Sequence, residues 1–276
     1  MTKTKMIEKI TRLDNGVEIF TKIKYGNCDL PAFVFCHGIG RNLTAGEFLT
    51  DYFNKKGHLT LEYDLPGHGK SEIYACGDWS MNNSSKTFHE ILEKNSIKTP
   101  IAFGDSFGGM IILNYAVSNP GSIKSAVLMA TTASYPIDYA PKYIPKKFLE
   151  FYLKQRNEKQ KKLFEKQIQH NFQECKDLSD REIEDVVFKC TNPAAYSGFM
   201  DSTKKYDVRE KLDSLDIPTL IMWGKKDRYV LKGANDDLKK IKNSRFIALD
   251  GGHNCLLKNI DEIIGAIEEN YGFLAE

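Results

Sequence analysis

The sequence has no Cys-x-x-Cys pair; its six cysteines, Cys28, Cys36, Cys76, Cys175, Cys190 and Cys255, are scattered. That spacing argues against a structural zinc site or a thioredoxin-type redox motif. No run approaches the roughly 20 apolar residues needed to span a bilayer. The opening MTKTKMIEKI also lacks the apolar core of a secretory signal. A cytoplasmic protein with buried, reduced thiols and no membrane span is therefore expected. Charge of neither sign dominates: the formal net charge is +2, too weak to imply a nucleic acid or an anionic membrane as partner. There is no internal repeat and no low-complexity linker. What remains is ordinary globular composition, 41% hydrophobic and 28% charged over 276 residues, enough for one large α/β domain or two small ones.

Short apolar runs punctuate the chain. Lys9–Lys24 reads as a hairpin turning at Asp14-Asn15-Gly16. Ala32–Cys36, Leu59–Tyr63, Ile101–Phe103, Ala126–Met129, Leu220–Trp223 and Arg245–Leu249 follow as brief continuous apolar strands, the form required of parallel strands buried on both faces. Helical stretches separate them, among them one around Phe48 and Tyr52, Met110–Ser118 and the closing Ile260–Glu269. Alternation of this kind predicts a mostly parallel sheet with helices on both faces. Residues 134–206 break the rhythm with lysine-rich helical sequence and no strand-like run, so they read as an inserted helical subdomain. Within it Ser179-Asp180-Arg181-Glu182 has capping-box form.

The chemistry gathers at strand ends. Gly104-Asp105-Ser106-Phe107-Gly108 fits G-x-S-x-G where a strand hands over to a helix. Small neighbours let the chain turn sharply and expose the Ser106 hydroxyl. A serine is a poor nucleophile until a base takes its proton, and the base needs a partner that fixes its tautomer. His253, after the strand Arg245–Leu249, is the candidate base; Asp227, after Leu220–Trp223, is the candidate acid. An oxyanion needs two donors: the amide of Phe107 at the helix start, and that of Ile39 in the turn His37-Gly38-Ile39-Gly40. His37 is read as bracing that turn, and neither Cys36 nor Cys255 is given a catalytic role.

Taken together, HGIG, DLPGHGKS, GDSFGG, GKKD and GGH resemble the α/β-hydrolase superfamily, from the first hairpin to the last helix. The resemblance implies an eight-stranded, mostly parallel α/β-hydrolase fold. Its core is residues 1–133 and 207–276, and its helical cap is residues 134–206, between strands six and seven. It implies Ser106 as nucleophile, Asp227 as acid, His253 as base and Ile39 and Phe107 as oxyanion donors, with no metal or organic cofactor. Asp64, Gly67, His68, Gly69 and Ser71 correspond to a structural loop. A serine at the elbow argues against members that attack with aspartate or cysteine.

The expected substrate is a small-molecule acyl compound, foremost a small to medium carboxylic ester cleaved through an acyl-enzyme. Thioesters, lactones and carbon–carbon bonds in keto-dienoates are the alternatives, and a ligand receptor on a hydrolase scaffold is the reading of another class. Tyr143, Phe148, Phe151, Tyr196, Phe199 and Met200 are candidates for an apolar substrate lining, against the simpler role of packing the inserted helices onto the core. Arg41, and Arg228 beside the acid, are candidates for holding a substrate carboxylate. Two positions depart from the family's pattern. Leu231 replaces a proline often found after the acid, and Glu62 puts a carboxylate inside a strand, where either a cation such as Arg41 pairs with it or the strand has one wetter face; a lone buried charge would be costly, so a partner is expected.

Overall fold

The computed structural model describes residues 5–27, 29–75, 77–141, 144–164 and 167–275. Eight strands form one sheet: β1 (Met6–Arg12), β2 (Glu18–Lys24), β3 (Phe33–Cys36), β4 (Thr60–Tyr63), β5 (Ile101–Asp105), β6 (Ser125–Met129), β7 (Thr219–Gly224) and β8 (Ser244–Leu249). Their spatial order is β1-β2-β4-β3-β5-β6-β7-β8. β1–β2 and β2–β4 are antiparallel; every later pairing is parallel. The hairpin forms where expected, with Gly16 at φ +85° in its turn. Its first strand begins three residues earlier than the apolar pattern suggested, because backbone pairing continues past the last buried side chain to Met6↔Lys24.

Side chains alternate across the sheet with period two, and the two faces collect two cores. Val34, Cys36, Ala102, Ala126, Leu128 and Ile221 face one side. There they meet helices α2 (Met81–Lys94) and α3 (Phe107–Ser118) through Phe88, Ile91, Met110 and Ile111. Phe33, Phe35, Ile101, Phe103, Val127, Met129, Leu220 and Met222 face the other. They are covered there by α1 (Glu47–Lys55) through Leu49 and Phe53, and by the C-terminal helix Ile260–Glu269 through Ile263 and Ile267. Both faces are covered, which is why β3, β4, β5, β6 and β7 are buried at every position.

Between β6 and β7 the chain leaves the sheet and forms α4 (Lys146–Leu163), α5 (Asp180–Cys190) and α6 (Pro193–Ser202). The expected capping box opens α5: Ser179 Oγ accepts from the Glu182 amide, and the Glu182 carboxylate accepts from the Ser179 amide at 2.8 Å. After β7 come α7 (Gly233–Leu238), α8 (Cys255–Lys258), α9 (Ile260–Glu269) and α10 (Tyr271–Ala275). No helix among the described residues is long and apolar enough to cross a membrane.

Glu62 corrects one expectation. Arg41 is not its partner; the cations come from the neighbouring strand. Antiparallel pairing sets Lys22 opposite Glu62, with Lys22 Nζ 3.6 Å from Glu62 Oε1 and Thr50 Oγ1 donating to Oε2 at 2.9 Å. Lys22 also pairs with Glu47, and Lys24 with Asp51 at 2.6 Å. Burial pushes the Glu62 carboxyl up to about 7 against the pull of Lys24 and Lys22. Cross-strand register created this pairing, and register is invisible to a search among nearby loops.

The approach of α3 to the sheet depends on missing side chains. A Cβ at Gly108 would lie 2.1 Å from the Cys36 carbonyl oxygen, and one at Gly104 would lie 2.5 Å from Gly109 Cα. Gly108→Ala therefore forces α3 off the end of β3. Overpacking of this kind costs about 2–3 kcal/mol, which should lower Tm by roughly 4–10 °C. Thermal unfolding followed by circular dichroism measures it, and an unchanged Tm would contradict the close approach.

Candidate functional site

Ser106 occupies the junction of β5 and α3 at φ +51°, ψ −111°. A non-glycine residue there stores roughly 1–3 kcal/mol of backbone strain. Four bonds hold it: the Ser106 amide donates to Met129 O at 2.8 Å, and its carbonyl accepts from Thr131 Oγ1 at 2.7 Å and from the Gly109 and Met110 amides at 3.0 and 3.3 Å. The hydroxyl is thereby presented above the carboxyl ends of the parallel strands.

His253 reaches the same point from the loop after β8. Its Nε2 lies 3.0 Å from Ser106 Oγ, and its Nδ1 lies 2.9 Å from Asp227 Oδ2. Asp227 follows β7 and is buried; its Oδ1 accepts from the amides of Tyr229 at 2.8 Å and Val230 at 2.9 Å. With a carboxylate at Nδ1, the ring proton belongs there and Nε2 is left to accept from the serine. Residues 147 and 26 positions apart are thus brought into one hydrogen-bonded line. A Cβ at Gly38 would come 3.2 Å from Ser106 Cβ, so the turn bearing Ile39 passes directly over the serine. The amides of Ile39 and Phe107 have no acceptor among the described residues.

Two histidines lock that turn onto the Asp64–Ser71 loop. His37 Nε2 accepts from the Leu65 amide at 2.9 Å and its Nδ1 donates to Gly38 O at 2.8 Å. His68 Nε2 accepts from the Gly40 amide at 2.9 Å while its Nδ1 donates to Pro66 O at 3.1 Å. Each ring must be neutral to accept. Burial pushes both down, His37 well below its usual range and His68 to about 4. Asp64 fastens the loop's other end, accepting from the Leu43 and Lys70 amides at 2.8 and 2.7 Å. The role of His68 toward Gly40 goes beyond turn formation, and only the fold brings the two together.

A cavity of about 840 Å³ opens on Ser106 and His253. Ile39, Arg41 and Phe107 border it, as do Tyr196 and Met200 from α6, Arg228, and a wall of Leu149, Tyr152, Leu153 and Arg156 from α4. Other expected lining residues lie elsewhere. Phe148 and Phe151 are 64% and 58% exposed, on the outward side of α4. Phe199 is fully buried behind the site, its ring 5.0 Å from Phe107 and 4.9 Å from Trp79. Tyr143 lies outside the described residues. Cys36 and Cys255 do not border the cavity; burial pushes both thiols up to about 12. The inward face of α4 carries the spacing 149, 152, 153, 156, a helical stripe that could have been recognised had the brighter aromatics at 148 and 151 not inverted the pattern.

Arg41 is committed inside the protein. Its Nη1 donates to Asp105 Oδ2 at 2.6 Å and its Nη2 to Asn254 Oδ1 at 3.2 Å. Arg156 donates from Nε to Glu184 at 2.6 Å and lies 4.7 Å over the ring of Tyr229, which meets the His253 ring edge-on at 5.1 Å. Arg228 is exposed at the mouth.

An acidic, a basic and a hydroxyl side chain meeting on the carboxyl rim of a doubly covered, mostly parallel sheet define a scaffold of the hydrolase type. The chain belongs to the α/β-hydrolase fold family, whose model matches residues 31–259. It is similar to a 2-hydroxy-6-oxononadienedioate/2-hydroxy-6-oxononatrienedioate hydrolase of Burkholderia vietnamiensis, 21% identical over 238 residues, or 83% of this chain and 82% of the relative. A pimeloyl-[acyl-carrier protein] methyl ester esterase of Wigglesworthia glossinidia brevipalpis is 28% identical over 223 residues, 76% of this chain and 80% of that one. Among solved structures, an esterase from Exiguobacterium antarcticum superposes with a TM-score of 0.78 at 18% identity, covering 97% of this chain and 99% of its own. That likeness concerns the fold.

The buried histidines yield a pH test. Because the folded state holds His68 neutral down to about 4 while the unfolded state protonates it near 6.5, unfolding takes up a proton in that window. Relative to His68→Gln, the wild type should lose stability as pH falls from about 6.5 to about 4, by up to roughly 1.4 kcal/mol per pH unit. Denaturant titrations at intervals across the window measure it; parallel stability curves for the two proteins would contradict a neutral, hydrogen-bond-accepting His68.

Proposed function

We propose that this protein is a serine hydrolase that cleaves small to medium carboxylic esters. The observation that carries the reading is the unbroken line Ser106 Oγ, His253 Nε2, His253 Nδ1, Asp227 Oδ2, with contacts of 3.0 and 2.9 Å. In this reading Ser106 attacks the acyl carbon as His253 takes its proton, and Asp227 stabilises the imidazolium. The amides of Ile39 and Phe107 receive the oxyanion, each worth roughly 3–4 kcal/mol to the transition state. Collapse of the tetrahedral intermediate expels the alcohol with the proton from His253. Water then enters, gives its proton to the same ring, and releases the acid and the serine.

Residues 134–206 act as the cap over a core of residues 1–133 and 207–276, supplying the α4 and α6 walls of the cavity. A largely apolar chamber of about 840 Å³ suits an acyl group well beyond acetate. The four described cysteines, all free thiols, suit the cytosolic location expected from the sequence. The esterase name of the Wigglesworthia relative favours the ester reading. The name of the Burkholderia relative supports a second one, hydrolysis beside the ketone of an oxo-dienedioate, with Arg156 and Arg228 in the same chamber. A receptor built on this scaffold would differ from both in turnover, releasing its ligand unchanged or processing it very slowly.

A p-nitrophenyl ester series from acetate to dodecanoate tests the assignment. Turnover should peak at an intermediate chain length. Ser106→Ala should abolish fluorophosphonate labelling and lower kcat by at least about 10⁴-fold, and Asp227→Asn should lower it by about 10⁴-fold. Cleavage of an oxo-dienedioate with every ester left intact would replace the ester reading by the second, and no labelling of the wild type would reject the nucleophile.

A further inference from the structure

Asp105 is a carboxylate set directly behind the nucleophile. It is fully buried, and its Oδ1 has no hydrogen-bond partner among the described residues. Its Oδ2 lies under the oxyanion turn: a Cβ at Gly38 would sit 2.9 Å from it. A bare negative charge there would face the space in which an oxyanion forms at Ser106, and would also favour the protonated state of His253. Burial pushes the Asp105 carboxyl up, while Arg41 and then His253 pull it down, so the carboxylate, the guanidinium and the imidazole share one field.

Arg41 answers that charge and does more. It is 4% exposed. One arm of its guanidinium donates to Asp105 Oδ2 at 2.6 Å; the other donates to Asn254 Oδ1 at 3.2 Å and to the His253 carbonyl at 3.4 Å. Its own amide closes the oxyanion turn by donating to Gly38 O at 3.2 Å. Rooted in the turn of Ile39 by its backbone, Arg41 thus reaches with its guanidinium to the residue before Ser106 and to the loop of His253. A fork of fixed geometry can bridge two segments in this way, where a lysine's point charge can satisfy only one.

The other titratable groups around the pair do not substitute for Arg41. His37 on the turn is kept neutral by burial, and the thiols of Cys175 and Cys255 are pushed up by burial. Lys226 pairs with Asp250, Arg156 with Glu184, and Asp180 with Lys258; Arg228 is exposed. Two carboxylates therefore act on His253. Asp227 is hydrogen-bonded to the ring, and Asp105 is the one with a cation set against it.

We propose that Arg41 is a positioning residue for hydrolysis: it neutralises Asp105 behind Ser106 and fixes the loops of Ile39, Ser106 and His253 relative to one another, instead of receiving a substrate carboxylate. The proposal rests on Ser106 and His253 acting as nucleophile and base. It makes the charge at residues 41 and 105 set the pH at which the base becomes free.

The test is the pH profile of fluorophosphonate labelling, which needs no knowledge of the natural substrate, alongside kcat and KM for a neutral ester and for one bearing a carboxylate. Arg41→Met should slow labelling and lower kcat about 10²-fold. It should also move the acid limb of the profile up by about one pH unit, because an unpaired Asp105 favours the imidazolium. Asp105→Asn alone should move the limb down, and Asp105→Asn added to Arg41→Met should return it toward the wild-type position. Arg41→Lys should leave the limb in place and slow labelling less than tenfold. An acid limb that stays fixed in all variants would overturn the proposal, as would a KM increase confined to the carboxylate-bearing ester. Should Arg41→Met fail to fold, the downward shift in Asp105→Asn decides alone. A wild type that is not labelled at all would instead remove the nucleophile assignment beneath it.

Discussion

The site depends on how closely the first turn of α3 can approach the ends of β3 and β5. Three glycines, Gly104, Gly108 and Gly109, leave out the atoms that would hold them apart: a Cβ at Gly109 would meet Thr131 at 2.7 Å, and one at Gly108 would meet the Cys36 carbonyl. That contact forces Ser106 into a left-handed backbone and lifts its hydroxyl clear of the sheet. The same contact brings the start of α3 beside the turn after β3, so Phe107 and Ile39 border one cavity. Strain at the serine is small against the burial of β5 and α3, which removes Phe103, Phe107, Ile111 and Ile112 from water at roughly 1.5–3 kcal/mol for each large side chain.

Polar groups beneath the site are buried in an ordered way. Neutral histidines accept backbone amides, Asp64 accepts two more, and Asp105 is matched by Arg41. Left unpaired, any one of these would cost several kcal/mol. Paired, they make the turn of Ile39 a rigid part of the core although it consists of loop residues with glycines at 38 and 40. Geometry that must be held to a few tenths of an ångström is thus built on loops and stiffened from behind.

Much of this was legible in the sequence where local chemistry dictates it. The fold followed from brief apolar runs alternating with helical stretches. Ser106, Asp227 and His253 were readable because each sits a few residues past such a run, where parallel sheets collect reacting groups. Long-range partners were not. Arg41 and Asp105 are 64 positions apart and Gly40 and His68 are 28 apart; nothing in either local stretch names the other, and Arg41 was matched to Glu62 although cross-strand register supplies Lys22 instead. The inserted helices were the hardest to orient. On α4 the aromatic stripe of Phe148 and Phe151 points outward and the leaner stripe of Leu149, Leu153 and Arg156 points in. A helix packed against a cavity does not need to bury its most hydrophobic face.

The loop of His253 is also tied upward. Asn254 receives Arg41 on its oxygen and, through Nδ2, donates to Asp180 at the head of α5 with a separation of 3.0 Å. That second bond is exposed, so water can replace either partner, and breaking it costs on the order of 1 kcal/mol. α5 as a whole is held by Ile183, Val187 and Phe188, which are buried in the core cluster, so only the polar tie at its head is exchangeable with water. A replaceable bond above and a part-buried one below thus meet at a single amide side chain.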